Sequence, residues 1–131
     1  MHVVIDTNIL VSSLWSRDGG PAKVVSMILT EEIVPCYDYR IMAEYKEVLQ
    51  RPKFNFSKFH INSLTGWIEN YGSSIVAKPL DDVFVDEADK KFYYEVAKSC
   101  GAVLVTGNLK HFPDDPQVMS VAEFLELSKR K

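Results

Sequence analysis

Four side chains that carry oxygen atoms interrupt or follow apolar patterns that predict burial. They are Asp6, Glu44, Asp89 and Asn108. A carboxylate that faces a protein core costs several kcal/mol unless a partner compensates its charge. The sequence offers no obvious set of matching buried cations, so a divalent metal ion is the expected partner. Oxygen ligands favour Mg²⁺ or Mn²⁺ over zinc. A metal ion held by carboxylates suggests phosphodiester chemistry.

Two of these side chains follow predicted strands. Asp6 comes directly after the apolar run at residues 2–5, and Asn108 comes shortly after the apolar run at residues 102–105. Ligands of open parallel sheets bind beyond the carboxyl ends of the strands, so the two side chains should share one rim. The alternative for residues 6–8 is an ordinary turn stabilised by Asp and Asn side chains, and a turn is the local structure that we predict there.

The other two side chains lie on predicted helices. Glu44 comes three residues after Ile41 and four before Val48, which places it on the stripe that faces the core. Asp89 comes three residues before Phe92, at the N-terminal end of a second buried face. An acid in a first helical turn also interacts favourably with the helix dipole, and this alternative stays open for Asp89.

Strands alternate with helices along the whole chain. Strands are predicted at residues 3–5, 33–36, 74–77 and 102–105 and near residue 118, with an ambiguous stretch at 80–86. Helices are predicted at residues 22–31, 38–50, 57–71 and 87–100, with a last helix capped by Ser120 and Glu123. This alternation predicts a three-layer α/β/α fold around a central parallel sheet of four or five short strands. We expect residues 1–131 to form one domain.

Bulk composition limits the function classes only weakly. The 131 residues are 47% hydrophobic and 25% charged, which is enough for a real core. A net charge of -3 argues against a general nucleic-acid coat protein but leaves a nuclease open. No apolar stretch approaches the ~20 residues that span a bilayer, and no signal peptide is visible. Cys36 and Cys100 lack metal spacing and indicate a reducing compartment, so we expect a cytoplasmic location.

The segments around the four positions resemble the PIN domain, the metal-dependent ribonuclease fold of VapC-like toxins in bacterial and archaeal toxin–antitoxin pairs. The matching segments are VVIDTNIL at residues 3–10, MAEYKEVL at 42–49, DKKF at 89–92 and VLVTGNLKHF at 103–112. Their order and spacing agree with the family over nearly the whole chain.

The resemblance implies that Asp6, Glu44 and Asp89 form an acidic triad that binds metal and performs catalysis. Asn108 stands where many family members carry a fourth Asp. An amide keeps a carbonyl oxygen but lacks the negative charge, so a second metal ion should bind more weakly there.

Further residues of the predicted site surround these ligands. By the resemblance, Thr106 would orient a ligand, and Thr7 and Asn8 would hold the turn at Asp6. Lys110 and His111 lie next to the Asn108 position in sequence, so they are placed to contact phosphate. The alternative for Lys110 is an ordinary exposed loop lysine.

The function that this resemblance implies is hydrolysis of RNA phosphodiester bonds with one or two Mg²⁺ or Mn²⁺ ions. It also implies an antitoxin that covers the acidic rim, and a homodimer. One alternative is a metal-dependent phosphoesterase acting on DNA or on small phosphate esters. Another is a degenerate PIN module that binds RNA or a partner protein without cleavage, for which the amide of Asn108 is the main support.

A short strip at residues 51–60 interleaves basic and aromatic side chains. Its members are Arg51, Lys53, Phe54, Phe56, Lys58, Phe59 and His60. Either the strip grips single-stranded RNA by stacking and charge, or its aromatic residues pack in the core or in a protein interface while its basic residues form a solvated face.

Overall fold

The protein, seen in a computed structural model, is described for residues 1–80 and 90–130. The strands are β1 (His2–Ile5), β2 (Val34–Tyr37), β3 (Ser73–Ser74), β4 (Val103–Val105) and β5 (Val118–Met119). The helices of these described residues are α1 (Thr7–Trp15), α2 (Gly20–Leu29), α3 (Tyr39–Leu49), α4 (Lys58–Tyr71), α5 (Lys91–Cys100) and α6 (Val121–Lys129). Short 3-10 turns occupy Pro52–Phe54 and Leu109–His111.

The five strands of the described residues are parallel and lie in the order β3-β2-β1-β4-β5. The central strand β1 is buried on both faces, because the consecutive residues Val3, Val4 and Ile5 are all inaccessible to solvent and successive side chains point to opposite faces. Helix α5 packs on β1, β2 and β4, and α2 packs against both α1 and α6. The predicted three-layer α/β/α fold with a parallel sheet is therefore confirmed.

The chain enters a helix directly after β1, so the turn predicted at residues 6–8 is wrong. Asp6 is the extended N-cap residue of α1, and Thr7 is already helical. Ile9, Leu10 and Ser13 form a buried face, and α1 packs against α2 and α3. Burial of this face stabilises a helix whose sequence starts with turn-forming residues, because tertiary packing outweighs local propensity.

Strand β3 is shorter than predicted. It pairs with β2 through Ser73 and Ser74, and Ile75 adds one further backbone hydrogen bond to Tyr37 at 2.9 Å. Val76, which completes the apolar pattern in sequence, is almost fully exposed. The ambiguous stretch from residue 81 onward and the predicted helix start at residue 87 lie outside the described residues.

The helix ends follow the predicted capping residues. Ser57 caps α4 through the amide of His60, and Ser120 and Glu123 form the predicted capping box of α6. Gly101 ends α5 with a φ of 62°, a left-handed conformation that favours glycine. None of the helices described here is long and apolar enough to cross a membrane.

Candidate active site

Asp6 lies at the carboxyl end of β1 and is fully buried. Its backbone amide donates to the carbonyl of Val105 on β4 at 3.0 Å. Its carboxylate accepts a hydrogen bond from the hydroxyl of Thr106, at 2.8 Å from Oγ1 to Oδ2. The parallel pairing of the two central strands therefore holds this carboxylate in one orientation.

Glu44 reaches the same place from α3. Its Oε2 atom accepts a hydrogen bond from Thr7 Oγ1 at 2.6 Å and another from the hydroxyl of Tyr93 on α5. The next residue, Tyr45, is buried and donates through its hydroxyl to the carbonyl of Ile5 at 2.5 Å. This contact fixes α3 over the end of β1, so the structure brings Glu44 and Asp6 together as the sequence predicts.

A lysine connects the two acids. The Nζ atom of Lys90 lies 3.3 Å from Oδ1 of Asp6 and 3.8 Å from Oε2 of Glu44. The expectation that these carboxylates have no matching cation is therefore wrong. Lys90 comes directly before α5, and its long side chain reaches back to the acids. Two carboxylates face this single ammonium group, so negative charge exceeds positive charge in the described part of the site.

Asn108 joins the site through Thr106. Its backbone amide donates to Thr106 Oγ1 at 3.0 Å, and its side-chain amide hydrogen-bonds the imidazole of His111 at 3.0 Å. Asn8 Oδ1 accepts from the amide of Gly107 at 3.3 Å, which ties the start of α1 to the loop after β4. Thr106 therefore links the Asp6 carboxylate directly to the Asn108 loop.

Two predicted site residues remain, Lys110 and Asp89. Lys110 is exposed in the loop next to Asn108. Asp89 lies outside the described residues, although it directly precedes Lys90 in the sequence. The structure thus brings together Asp6, Glu44, Thr7 and Thr106, with the backbone of Asn108 one hydrogen bond further away.

The oxygen donors of the site meet only part of the requirements of a hard cation such as Mg²⁺ or Mn²⁺. Among residues 1–80 and 90–130, no group of three His, Cys, Asp or Glu side chains is placed to hold a metal ion. Asp6 and Glu44 nevertheless direct carboxylate oxygens at one shared positive group, the Lys90 ammonium. Oxygen donors around a positive charge are the environment that Mg²⁺ and Mn²⁺ prefer. These two carboxylates fit such an ion and need at least one further ligand.

The hydroxyl groups around the acids are neutral donors. Burial raises the pKa of Tyr93 strongly, and the nearby Glu44 carboxylate raises it further. Burial also raises the pKa of Tyr45, with the charges of Asp6 and Glu44 acting in the same direction. Both phenols therefore stay protonated, and Tyr93 holds Glu44 as a hydrogen-bond donor.

A second buried charge network, which the sequence did not reveal, positions the helices of the site. Arg40 lies 2.7 Å from Asp38 and 2.9 Å from Glu95, and both acids are almost fully buried. Glu95 also accepts a hydrogen bond from the amide of Leu80 at 2.9 Å. The network fastens α3, which carries Glu44, to α5 and to the segment that leads to residue 81.

The loop after Asn108 is held against α5 by Asp115. Its carboxylate lies 2.6 Å from Lys98 Nζ and accepts hydrogen bonds from Tyr94 and the amide of Gln117. Burial raises the pKa of Asp115, but the contact with Lys98 and the two hydrogen bonds outweigh burial and lower the pKa to about 2.

The lowered pKa of Asp115 predicts a pH-dependent stability. A carboxyl group whose pKa is lower in the folded state stabilises the fold above its unfolded pKa, and this stability is lost as the pH falls through the folded pKa. Between about pH 5 and pH 2.5, urea unfolding should show a loss roughly 1–2 kcal/mol larger for the wild type than for Asp115→Asn. Equal losses in the two proteins would contradict this assignment.

Comparisons with known proteins agree with the fold. A sequence model of the PIN domain family matches residues 2–110. The chain is 31% identical over 111 residues to the uncharacterized protein MJ1680 of Methanocaldococcus jannaschii, covering 82% of this chain and 71% of that protein. The crystal structure of PAE2754 from Pyrobaculum aerophilum has a TM-score of 0.60 at 16% identity, covering 100% of this chain and 91% of that one. At this identity the last comparison shows the fold alone.

The fold and the family match define the class of this protein: the chain belongs to the PIN domain family. Members of this family are generally nucleases that bind RNA and use divalent metal ions. The family resemblance noted in the sequence is therefore confirmed.

Proposed function

We propose that this protein is a metal-dependent endoribonuclease that hydrolyses RNA phosphodiester bonds. One observation carries the proposal. Asp6 on the end of β1 and Glu44 on α3 direct their carboxylates at a single positive group at the carboxyl edge of the sheet, in a family that generally consists of nucleases. We assign Asp6, Glu44 and Asp89 as the metal ligands.

The surrounding residues prepare the two described carboxylates for this role. Thr106 orients Asp6, and Thr7 with Tyr93 orients Glu44. Ligands fixed by neighbouring hydrogen bonds bind a metal ion more tightly than mobile ones. A bound Mg²⁺ or Mn²⁺ supplies Lewis acidity, which lowers the pKa of a water molecule and neutralises charge on the phosphate.

The loop after β4 carries the remaining proposed contacts. Asn108 would contribute its amide oxygen, a neutral donor, so a second ion would be held more weakly than the first. Lys110 and His111 come two and three residues after Asn108, and we assign them to the substrate phosphate. Asn8 supports this loop through its hydrogen bond to Gly107.

A cleavage assay with matched variants of α3 tests the proposal. We expect the wild type to cut a mixed RNA pool with Mn²⁺ and not with EDTA, and we expect Glu44→Gln to lower the rate by about 10²-fold. Glu47→Gln is the control, because Glu47 lies on the same helix but is exposed and paired with Arg51 at 2.9 Å. It should retain the full rate.

The same assay separates the alternatives. RNA binding without cleavage, unchanged by Glu44→Gln, would establish a degenerate PIN module. Faster cleavage of a mixed DNA pool than of the mixed RNA pool would establish a DNA phosphoesterase.

We further propose that the ribonuclease acts as a toxin whose antitoxin covers the acidic edge, and that it forms a homodimer. This part of the proposal is based on the VapC-like motifs. Induced expression in a bacterial host should stop growth for the wild type and not for Glu44→Gln. Equal growth with both proteins would contradict a toxin role.

A further inference from the structure

A group of aromatic rings covers the surface where α1 ends. The indole ring of Trp15 lies edge-on to Phe54 and Phe56, with ring centroids 5.6 Å and 6.0 Å away, and these two phenyl rings stack at 5.4 Å. His60 lines a cleft with residues of α1 and contacts the ring of Phe59 at 5.7 Å. We call these five side chains the aromatic platform.

Two members of the platform are unusually exposed for their size. Trp15 is 63% exposed and Phe59 is 74% exposed, while Phe54 and Phe56 are half-buried. Neighbouring apolar rings left in contact with water indicate a surface that binds a partner. The strip at residues 51–60 is therefore a mixture of packing and exposed residues, and Trp15 extends it from a different element.

The charges around the platform favour a polyanionic partner. Lys53 lies 5.1 Å above the ring of Phe54, and Arg17 lines the cleft beside His60. Lys58 begins α4 within the same strip. None of these three cations forms an ion pair with any residue of the described ranges 1–80 and 90–130. The chain as a whole carries a net charge of -3, so the positive charge beside the platform is a local feature and does not follow from the overall charge.

The platform is connected to the candidate active site through α1 and through the segment that follows α3. Helix α1 begins at Thr7, which contacts Glu44, and ends at Trp15. At 1.5 Å per residue these two ends lie about 12 Å apart along the helix. Helix α3, which carries Glu44, leads into the turn that carries Phe54. A nucleic-acid strand with bases spaced by about 3.4 Å would cover this distance in three or four nucleotides.

We propose that the aromatic platform is a stacking subsite for unpaired bases of single-stranded RNA, a few nucleotides away from the phosphate that would be hydrolysed at the proposed metal site of Asp6 and Glu44. Trp15 and Phe59 stack on bases, while Arg17, Lys53 and Lys58 contact the backbone phosphates. Exposed rings with interspersed cations are how proteins bind single strands without reading their sequence. The identity of the ligand rests on the proposed function, whereas the binding site rests on these contacts.

Binding in EDTA tests this subsite without cleavage. A single-stranded oligouridine is titrated while tryptophan fluorescence is measured. The chain has two tryptophans, and Trp67 is partly buried and donates to the carbonyl of Ile28, so the change on binding should come from Trp15. We expect the oligouridine to quench the fluorescence and double-stranded RNA to quench it far less. In Trp15→Phe the oligouridine should quench the remaining fluorescence much less than in the wild type.

Affinity measurements on variants locate the subsite. The double variant Trp15→Ala/Phe59→Ala should bind the oligouridine about 10- to 100-fold more weakly. Tyr71→Ala is the control, because Tyr71 is 54% exposed at the opposite end of α4, and the affinity of this variant should equal that of the wild type.

Phe59→Ala alone removes a mostly exposed ring, so it should show part of the loss of affinity without a change in melting temperature. Lys53→Ala should reduce the salt dependence of the affinity by about 0.7 in log–log slope.

The outcomes separate this proposal from the proposed function. If the double variant binds RNA as tightly as the wild type while Mn²⁺-dependent cleavage is present, the platform proposal is overturned and the ribonuclease survives. If the double variant loses binding but the wild type never cleaves RNA, the subsite stands and the ribonuclease fails. If the chain forms a dimer without RNA and the double variant is a monomer, the platform joins two copies of the chain and the stacking proposal is overturned.

Discussion

Asp6→Asn is expected to lower Mn²⁺-dependent RNA cleavage by on the order of 10³-fold or more. Asp6 is fully buried at the end of the central strand and is oriented by Thr106. Replacing the carboxylate by an amide removes a negative charge from a metal ligand while keeping its size and one acceptor oxygen. The loss should therefore appear in catalysis, and circular dichroism should show that the fold is retained. Rates on a labelled RNA under single-turnover conditions provide the measurement.

Asp18→Asn is the matched control for this substitution. Asp18 carries the same side chain in the exposed segment between α1 and α2, so its replacement should leave the rate unchanged. Cleavage by Asp6→Asn at a rate within a factor of two or three of the wild type would show that Asp6 is not a metal ligand, even if the protein is a ribonuclease.

Lys90→Met is expected to destabilise the protein in EDTA by about 3 kcal/mol, which corresponds to a fall in melting temperature on the order of 10 °C. The ammonium group of Lys90 is mostly buried and lies between Asp6 and Glu44. Its removal leaves two neighbouring carboxylates without the positive charge that compensates them. A cation that binds the folded state should restore the loss, so millimolar Mn²⁺ should raise the melting temperature far more in the variant than in the wild type.

Lys91→Met controls for the loss of one positive charge. Lys91 is adjacent in sequence but forms no ion pair with the described residues, 1–80 and 90–130, so this variant should melt close to the wild type with or without Mn²⁺. Equal melting temperatures of Lys90→Met and the wild type in EDTA would show that Lys90 does not compensate the acids. A destabilised Lys90→Met protein that Mn²⁺ fails to restore would argue against a cation site at these carboxylates.

The rim of the sheet was predictable because strand burial leaves a strong pattern in the sequence. The apolar runs before Asp6 and Asn108 became the adjacent strands β1 and β4, and parallel pairing brought their ends together. The helical spacing around Glu44 likewise predicted α3, whose end residues match the prediction within one position. These features depend on short-range periodicity, which a single sequence contains.

The compensating charges were not predictable, because they depend on which long side chains meet in space. In the sequence Lys90 is one of two consecutive lysines. Its contact with Asp6 depends on the packing of α5 against β1. The pairing of Arg40 with Glu95 joins two helices that are distant in the chain. The helical state of Thr7 was also missed, because packing of α1 against its neighbours overrides the turn preference of residues 6–8.

A crystal structure with Mn²⁺ present, measured for the anomalous signal of manganese, tests the metal-binding assignment most directly. We expect a peak at the carboxyl edge of β1, with oxygens of Asp6 and Glu44 at about 2.0–2.2 Å and the Lys90 ammonium displaced. A structure at millimolar Mn²⁺ without a peak between these carboxylates, and with Lys90 still in contact with both acids, would contradict it.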